Sequence, residues 1–268
     1  MKKLLKLFKR GPHYIKAVKR LTKNDVILVS FPKSGNTWIR NIIANYLGQK
    51  EMGKDIITFK ELDDIMPSFG NEIFFKEWNF KIPKFSATHL QFFPFFKKCR
   101  NVLVIRDPRD VMVSYFHYIN RKKGEYMFPT LFDLLIHPKL GLEAWFKHTI
   151  SWSGKIDFLI VYEEVLEDDI SVINNLFTVL RVEYDSEVLE KAVENSRFDT
   201  FKMIEETYGH SKPENNKEGF HFARKGKSGD YKNHFDDKCY ALYTDILKKY
   251  GFEDYEVIIK KLRGNLKK

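Results

Sequence analysis

Apolar residues along this chain fall into a few short unbroken runs, separated by stretches in which they recur at helical spacing. Val26–Phe31, Asn101–Arg106 and Phe158–Tyr162 are runs of the first kind, and Phe85–Thr88 is a fourth, less apolar one. Unbroken apolar runs of this length predict strands covered on both faces. Helical spacing appears at about Thr37–Leu47, Pro108–Asn120, Leu142–Ser153, Ile170–Leu180, Ser186–Asn195 and Asp236–Tyr250. This alternation predicts an α/β fold, a central mostly parallel sheet flanked by helices in three layers, with ligands gathered at the carboxyl ends of the strands. Glu51–Lys81 and Tyr208–Tyr231 have weak periodicity and read as long loops of the kind that serve as lids or binding segments.

Length and composition fit one domain over residues 1–268, with a basic lead-in over 1–22; the chain is 43% hydrophobic, enough for a sizeable core. Lys and Arg number 46 against 36 acids, a net charge of +10 that favours anionic partners. The basic residues gather in phosphate-sized loops rather than along one stripe, which argues against nucleic acid. Cys99 and Cys239 are the only cysteines and lack metal-ligand spacing, so we expect structural thiols in a reducing, cytoplasmic setting. No apolar run approaches the roughly 18 residues of a membrane span, and a soluble protein is expected. The opening "MKKLLKLFKR" is either a solvated lead-in or a short amphipathic helix making weak contact with an anionic membrane surface.

Chemistry concentrates first in "FPKSGNTW". Pro32 ends a strand, Gly35 permits a tight turn, and the first amides of the following helix lack intrahelical partners. Such a turn cradles a phosphate or sulfate: the helix N-terminus attracts the anion, Lys33 adds a full charge, and Ser34, Asn36 and Thr37 add donors. The lysine precedes the glycine, so this is not the G-x-x-x-x-G-K-[ST] loop that binds magnesium nucleotide, and no metal is expected.

A second junction, "NVLVIRDPRDVMVSYFHY", has Asp107 as a cap and Pro108 in the first turn, leaving Arg106 and Ser114 able to meet one anion. Arg109 and Asp110 read as a solvated first-turn pair. A third segment, "RKGKSGDYKNHF", puts Arg224, Lys225 and Gly226 at the head of a glycine-bearing loop suited to grip a phosphate.

Together and in this order, the three segments resemble the cytosolic-type sulfotransferases that use 3′-phosphoadenosine 5′-phosphosulfate (PAPS). The resemblance spans Val26 to about Phe235. It implies a sheet like that of P-loop nucleotide-binding proteins, with PAPS as donor, the 5′-phosphosulfate on the first loop, and the 3′-phosphate on Arg106 and Ser114. Arg224, Lys225 and Gly226 would close over that same phosphate. By the same resemblance Trp38, Tyr162, Ser196 and Phe198 lie beside the adenine; for Tyr162 and Phe198 a core role is an equal alternative.

His89, in "FSATHLQ" just past a predicted strand end, is the expected base for the acceptor proton, since a neutral imidazole accepts one at modest cost. Lys33 would stabilise the leaving phosphate, and the resemblance implies that Ser114 holds the direction of that lysine. The chain departs from the family pattern at four places: Ala87 stands where many relatives have lysine, with Lys84 as a candidate replacement; Asn36 replaces threonine; Tyr231 replaces tryptophan; and the C-terminal dimerisation pattern is missing.

The acceptor is left open as a small molecule, a lipid or a glycan. Phe74, Phe75, Trp78, Phe92, Phe93, Phe95 and Phe96 would either wall an apolar pocket or belong to the core, and Lys76, Glu77 and Asn79 interleave with them. Two other readings stand beside sulfuryl transfer: a P-loop-type nucleotide or small-molecule kinase, and a non-catalytic bisphosphonucleotide binder.

Overall fold

A computed structural model describes residues 12–71, 77–122, 127–209 and 225–267. Helix α1 covers 12–20 and is followed by β1 (Val26–Ser30), α2 (Asn36–Glu51), α3 (Phe59–Ile65), β2 (Phe85–Thr88), β3 (Arg100–Ile105) and α4 (Pro108–Lys122). Next come α5 (Leu131–Leu135), α6 (Leu142–Ser151), β4 (Phe158–Val161), α7 (Tyr162–Glu167), α8 (Asp169–Val179) and α9 (Ser186–Glu194). α10 (Phe198–Tyr208), α11 (Asp237–Lys249) and α12 (Tyr255–Gly264) complete the order.

The four strands pair in parallel in the order β2-β1-β3-β4. Strand side chains alternate between two cores. Ile27, Val29, Leu103, Ile105, Leu159 and Val161 enter one, while Val26, Leu28, Val102, Val104 and Ile160 enter the other. Burial of each such side chain contributes roughly 1.5–3 kcal/mol, which is why the strands read as unbroken apolar runs. β2 lies at the sheet edge, consistent with its Ser86 and Thr88. Its outer side is partly covered by the 67–69 segment, with Ala87 N–H donating to the Pro67 carbonyl at 3.0 Å and Phe69 N–H to the Ala87 carbonyl at 2.8 Å.

From β1 the chain moves outward to β2 and then crosses back to β3 on the other side. Loops at the carboxyl ends of β1 and β3 therefore face one crevice, the usual ligand position in such sheets. The strands and the six expected helices agree with the sequence reading to within a few residues. α1, α3, α5, α7, α10 and α12 are additional to the helices that the periodicity predicts. α3 lies inside the segment read as loop, and Thr58 and Glu61 cap it reciprocally, a signal present in the sequence as Thr-x-x-Glu. α5 starts on a similar reciprocal cap between Thr130 and Asp133.

Both cysteines are free and buried. Burial pushes the Cys99 thiol up to about 12 and the Cys239 thiol to about 11, as structural thiols should be. Among the described residues, no helix is long and apolar enough to cross a membrane. The basic opening segment, Phe74, Phe75, Lys76 and Arg224 lie outside the described residues.

Candidate functional site

A cavity of about 840 Å³ opens at the carboxyl ends of β1, β2 and β3. The β1–α2 turn forms its floor. Lys33 there has φ 72°, a left-handed conformation that costs a non-glycine residue about 1–2 kcal/mol. Gly35, at φ 96°, is the N-cap of α2, and a Cβ on it would collide with the Tyr162 ring. Glycine is thus required twice over, by the turn and by the approach of Tyr162.

Lys33, Gly35, Asn36, Thr37 and Trp38 all line the cavity. Asn36 nevertheless turns its side-chain amide to the Leu28 carbonyl at 3.4 Å, so that amide fastens the turn to β1. Ser34 departs further from expectation. It is fully buried and is not among the lining residues; its amide donates to Phe31, and its hydroxyl has no partner.

Arg106 and Ser114 line the same cavity. Asp107 caps α4 by accepting from the Arg109 amide at 2.9 Å. Arg106 Nη2 donates to the Lys227 carbonyl at 2.9 Å, its guanidinium lies 4.4 Å from the Tyr162 ring centroid, and its Nε is buried without a partner. Burial raises the Tyr162 phenol above its ordinary value, so it stays neutral.

The pair read as solvated is not solvated. Asp110 is 1% exposed and accepts from the Gly229 amide at 2.6 Å, the Tyr231 amide at 3.0 Å and the Ser228 hydroxyl at 3.2 Å. Arg109 pairs with Asp107 and sits 4.0 Å from the Tyr231 ring centroid. This pair ties the third basic segment onto α4; spacing alone could not reveal it, because the partners lie more than a hundred residues downstream.

Lys225 and Gly226 reach the cavity beside Phe198, whose ring occupies the space a Gly226 Cβ would need. Lys225 is also paired with Asp230 at 2.7 Å. Trp38 meets Tyr162 edge to face at 5.7 Å. Ser196 borders the cavity, yet its hydroxyl is committed to the Ala192 carbonyl and to Asn45.

His89 follows β2 and is exposed to the cavity. Its Nδ1 lies 2.8 Å from the Ser30 carbonyl, which only accepts; the proton is therefore on Nδ1 and the basic lone pair on Nε2. The segment beyond is pinned to α6: Trp152 Nε1 donates to the Leu90 carbonyl at 3.1 Å, and the Phe92 amide to Ser151 at 3.0 Å.

Two points left open by the sequence are decided here. Lys84 immediately precedes β2, about 16 Å of extended chain from His89 at roughly 3.3 Å per residue, and its charge faces Asp25 and Arg20. It does not replace the lysine missing at Ala87. Phe92, Phe93, Phe95 and Phe96 do not line the cavity. Phe96 is fully buried against Trp152, and Phe93 stacks on Phe95 at the surface. Trp78 donates to the Ile82 carbonyl and packs on Phe80. Aromatic side chains that do line the cavity include Tyr14, Phe69, Tyr115 and Tyr118.

A model described as the sulfotransferase domain matches residues 23–264. The chain belongs to the sulfotransferase family. Among curated sulfotransferases it is 29% identical over 226 residues to 3-beta-hydroxysteroid sulfotransferase of Cavia porcellus, covering 79% of this chain and 78% of that one. It is 26% identical over 236 residues to sulfotransferase 1E1 of Homo sapiens, again covering 79% and 78%. Two solved structures share the fold. Mouse sulfotransferase SULT7A1 complexed with PAP superposes with a TM-score of 0.66 at 22% identity, covering 94% of this chain and 93% of that one. Retinol dehydratase in complex with androsterone and inactive cofactor PAP gives 0.66 at 19% identity, covering 91% and 87%. The kinase reading is set aside by the family. Among the described residues of this sulfotransferase, no group of three or more His, Cys, Asp or Glu side chains is arranged to hold a metal.

Proposed function

We propose that this sulfotransferase moves a sulfuryl group from PAPS to the hydroxyl of a small-molecule acceptor, with His89 as the base. The observation that carries the reading is convergence. Two strand-to-helix junctions, bearing Lys33 and Arg106, and the end of β2, bearing His89, border one cavity.

The residues present fit a doubly phosphorylated adenosine carrier. Arg106 Nε and Trp38 Nε1 are buried without partners, Gly35 and Gly226 leave room for no Cβ beside the Tyr162 and Phe198 rings, and Lys225 borders the same cavity as Arg106. Lys33, Thr37 and the first amides of α2 would hold the 5′ end, with Arg106, Ser114, Lys225 and Gly226 at the 3′-phosphate. Trp38, Tyr162 and Phe198 would form the adenine wall.

PAPS, when bound, supplies an activated sulfuryl group and a phosphate that leaves. Lys33 lowers the barrier by neutralising charge on that phosphate, the kind of fixed electrostatic contribution that is strongest away from bulk water. His89 takes the acceptor proton at Nε2, and the Ser30 carbonyl stabilises the imidazolium through Nδ1–H. Tyr14, Phe69 and Tyr115, which line the same cavity, would border the acceptor.

Incubation with labelled PAPS and a panel of phenols and alcohols tests the reading directly, since it requires label in an acceptor. Calorimetry with the 3′,5′-bisphosphate PAP and with AMP tests the donor site. Tight binding of PAP without transfer to any acceptor would favour the non-catalytic binder, and equal affinity for AMP would remove the 3′-phosphate site.

A further inference from the structure

The head of the third basic segment carries a charged pair that the sulfuryl-transfer steps do not use. Lys225 Nζ donates to Asp230 Oδ1 at 2.7 Å, closing a loop between residues five apart in the chain. The two partners differ in setting. Asp230 is 7% exposed; Asn233 Nδ2 donates to the same carboxylate oxygen at 3.3 Å, and His234 Nε2 lies 3.5 Å from the other. The lysine side chain is nearly half exposed. Within the loop Gly226 and Gly229 have φ 60° and 83°, the left-handed region that glycine adopts freely. Lys225, Gly226 and Lys227 all line the cavity, and among the described residues their amides donate to no protein acceptor.

We propose that Asp230 is a positioning residue: it keeps the Lys225 ammonium on itself, and the loop closed in this way offers its backbone amides, rather than the lysine charge, to the 3′-phosphate. The inference rests on the PAPS reading of the cavity. A buried carboxylate stripped of its charged partner is costly, whereas a lysine already on Asp230 gains little by exchanging one anion for another. The pair therefore stays closed. Paired, the two side chains carry no net charge, so the segment attracts an anion through its amides; consecutive N–H groups beside a left-handed residue form a concavity suited to phosphate oxygens. Each part of the loop has its own tether. Arg106 holds the Lys227 carbonyl, the Phe198 ring lies against Gly226, and Asp110 holds the amides of Gly229 and Tyr231. The Lys225–Asp230 pair supplies the tether at the head.

Calorimetry with PAP and with AMP on wild type, Lys225→Met, Asp230→Asn and the double variant provides the test. Methionine keeps an unbranched chain without the charge; asparagine keeps the shape of the aspartate and an acceptor oxygen for Asn233. Each single variant is expected to weaken PAP about five- to tenfold by loosening the loop, the double variant no more than either single one, and AMP by less than about twofold throughout. If Nζ itself met the phosphate, the two substitutions would act differently: Lys225→Met would weaken PAP, while Asp230→Asn, which releases the lysine, would leave PAP binding unchanged or tighten it. That result would overturn the proposal, as would additive losses in the double variant, no loss in either single variant, or equal losses for PAP and AMP. Wild type that binds AMP as tightly as PAP would instead remove the 3′-phosphate reading of the site, and the proposal with it.

Discussion

Lys33 Nζ lies 4.7 Å from the ring centroid of Tyr118, across the mouth of the β1–α2 turn. Tyr118 stands one turn beyond Ser114 on α4, so one helix face carries both the residue assigned to the 3′-phosphate and the ring that holds the lysine. The lysine also has left-handed backbone, which points to a position kept for its side chain at a cost in conformation. Lys33→Ala should lower kcat/KM by about 10²–10³-fold, the range for removing one fixed electrostatic donor. Lys33→Gly should be equally inactive yet about 1 kcal/mol more stable than Lys33→Ala, because glycine adopts φ 72° freely. Urea denaturation of the two variants checks the second expectation; equal stability would show that the turn is not strained.

His89→Ala should retain PAP binding and lose about 10²–10⁴-fold in turnover, the usual contribution of a general base. The two quantities separate because His89, its Nδ1 engaged by Ser30, is assigned to the acceptor proton, whereas the phosphates are assigned to Lys33, Arg106 and Lys225. Steady-state rates beside PAP calorimetry measure both. A variant with undiminished turnover would take His89 out of the mechanism.

Arg106→Ala should weaken PAP by about ten- to a hundredfold, as expected for a charge-assisted contact of roughly 1.5–3 kcal/mol. AMP, lacking the 3′-phosphate, should be affected far less. Comparable losses for the two nucleotides would place Arg106 elsewhere in the site.

Asp110→Ala leaves the amides of Gly229 and Tyr231 without their acceptor. At about 1–3 kcal/mol for each buried unsatisfied group, a loss near 3 kcal/mol is expected, and PAP should bind more weakly because the Lys225–Lys227 backbone is no longer held against α4. Asp110→Asn retains one acceptor oxygen and should be milder. Wild-type stability and PAP affinity in Asp110→Ala would show that the segment is held by other contacts.

The strands were legible because two-sided burial leaves an unbroken apolar run, and the phosphate turns because few residue types suit them. Asp110 was not, since a first-turn acid on a helix looks the same whether water or a distant loop amide is its partner. The choice between pocket wall and core stayed open for a related reason: Phe92, Phe96 and Tyr14 are all aromatic letters in the sequence, and only packing against Trp152 takes Phe92 and Phe96 out of the cavity. α3 is hard to read from periodicity although Thr58 and Glu61 announce it, because its 7 residues are too few to show a helical period.

His148, beneath the site on α6, is 3% exposed. Burial, assisted by the charge of nearby His89, pushes its pKa down from 6.5 to about 3. In the unfolded chain it protonates near 6.5, so between that value and about 3 the unfolded state binds the extra proton. The stabilising effect of keeping it neutral is complete above 6.5 and is lost progressively as pH falls toward 3, at up to about 1.4 kcal/mol per pH unit from this one group. Urea denaturation at pH 7.5, 6.0 and 4.5 should therefore show declining stability, with a shallower slope in His148→Phe, which fills the same buried space beside Phe31 without a titrating nitrogen. Identical slopes in the two proteins would mean that His148 takes up its proton in the folded state as readily as in the unfolded one.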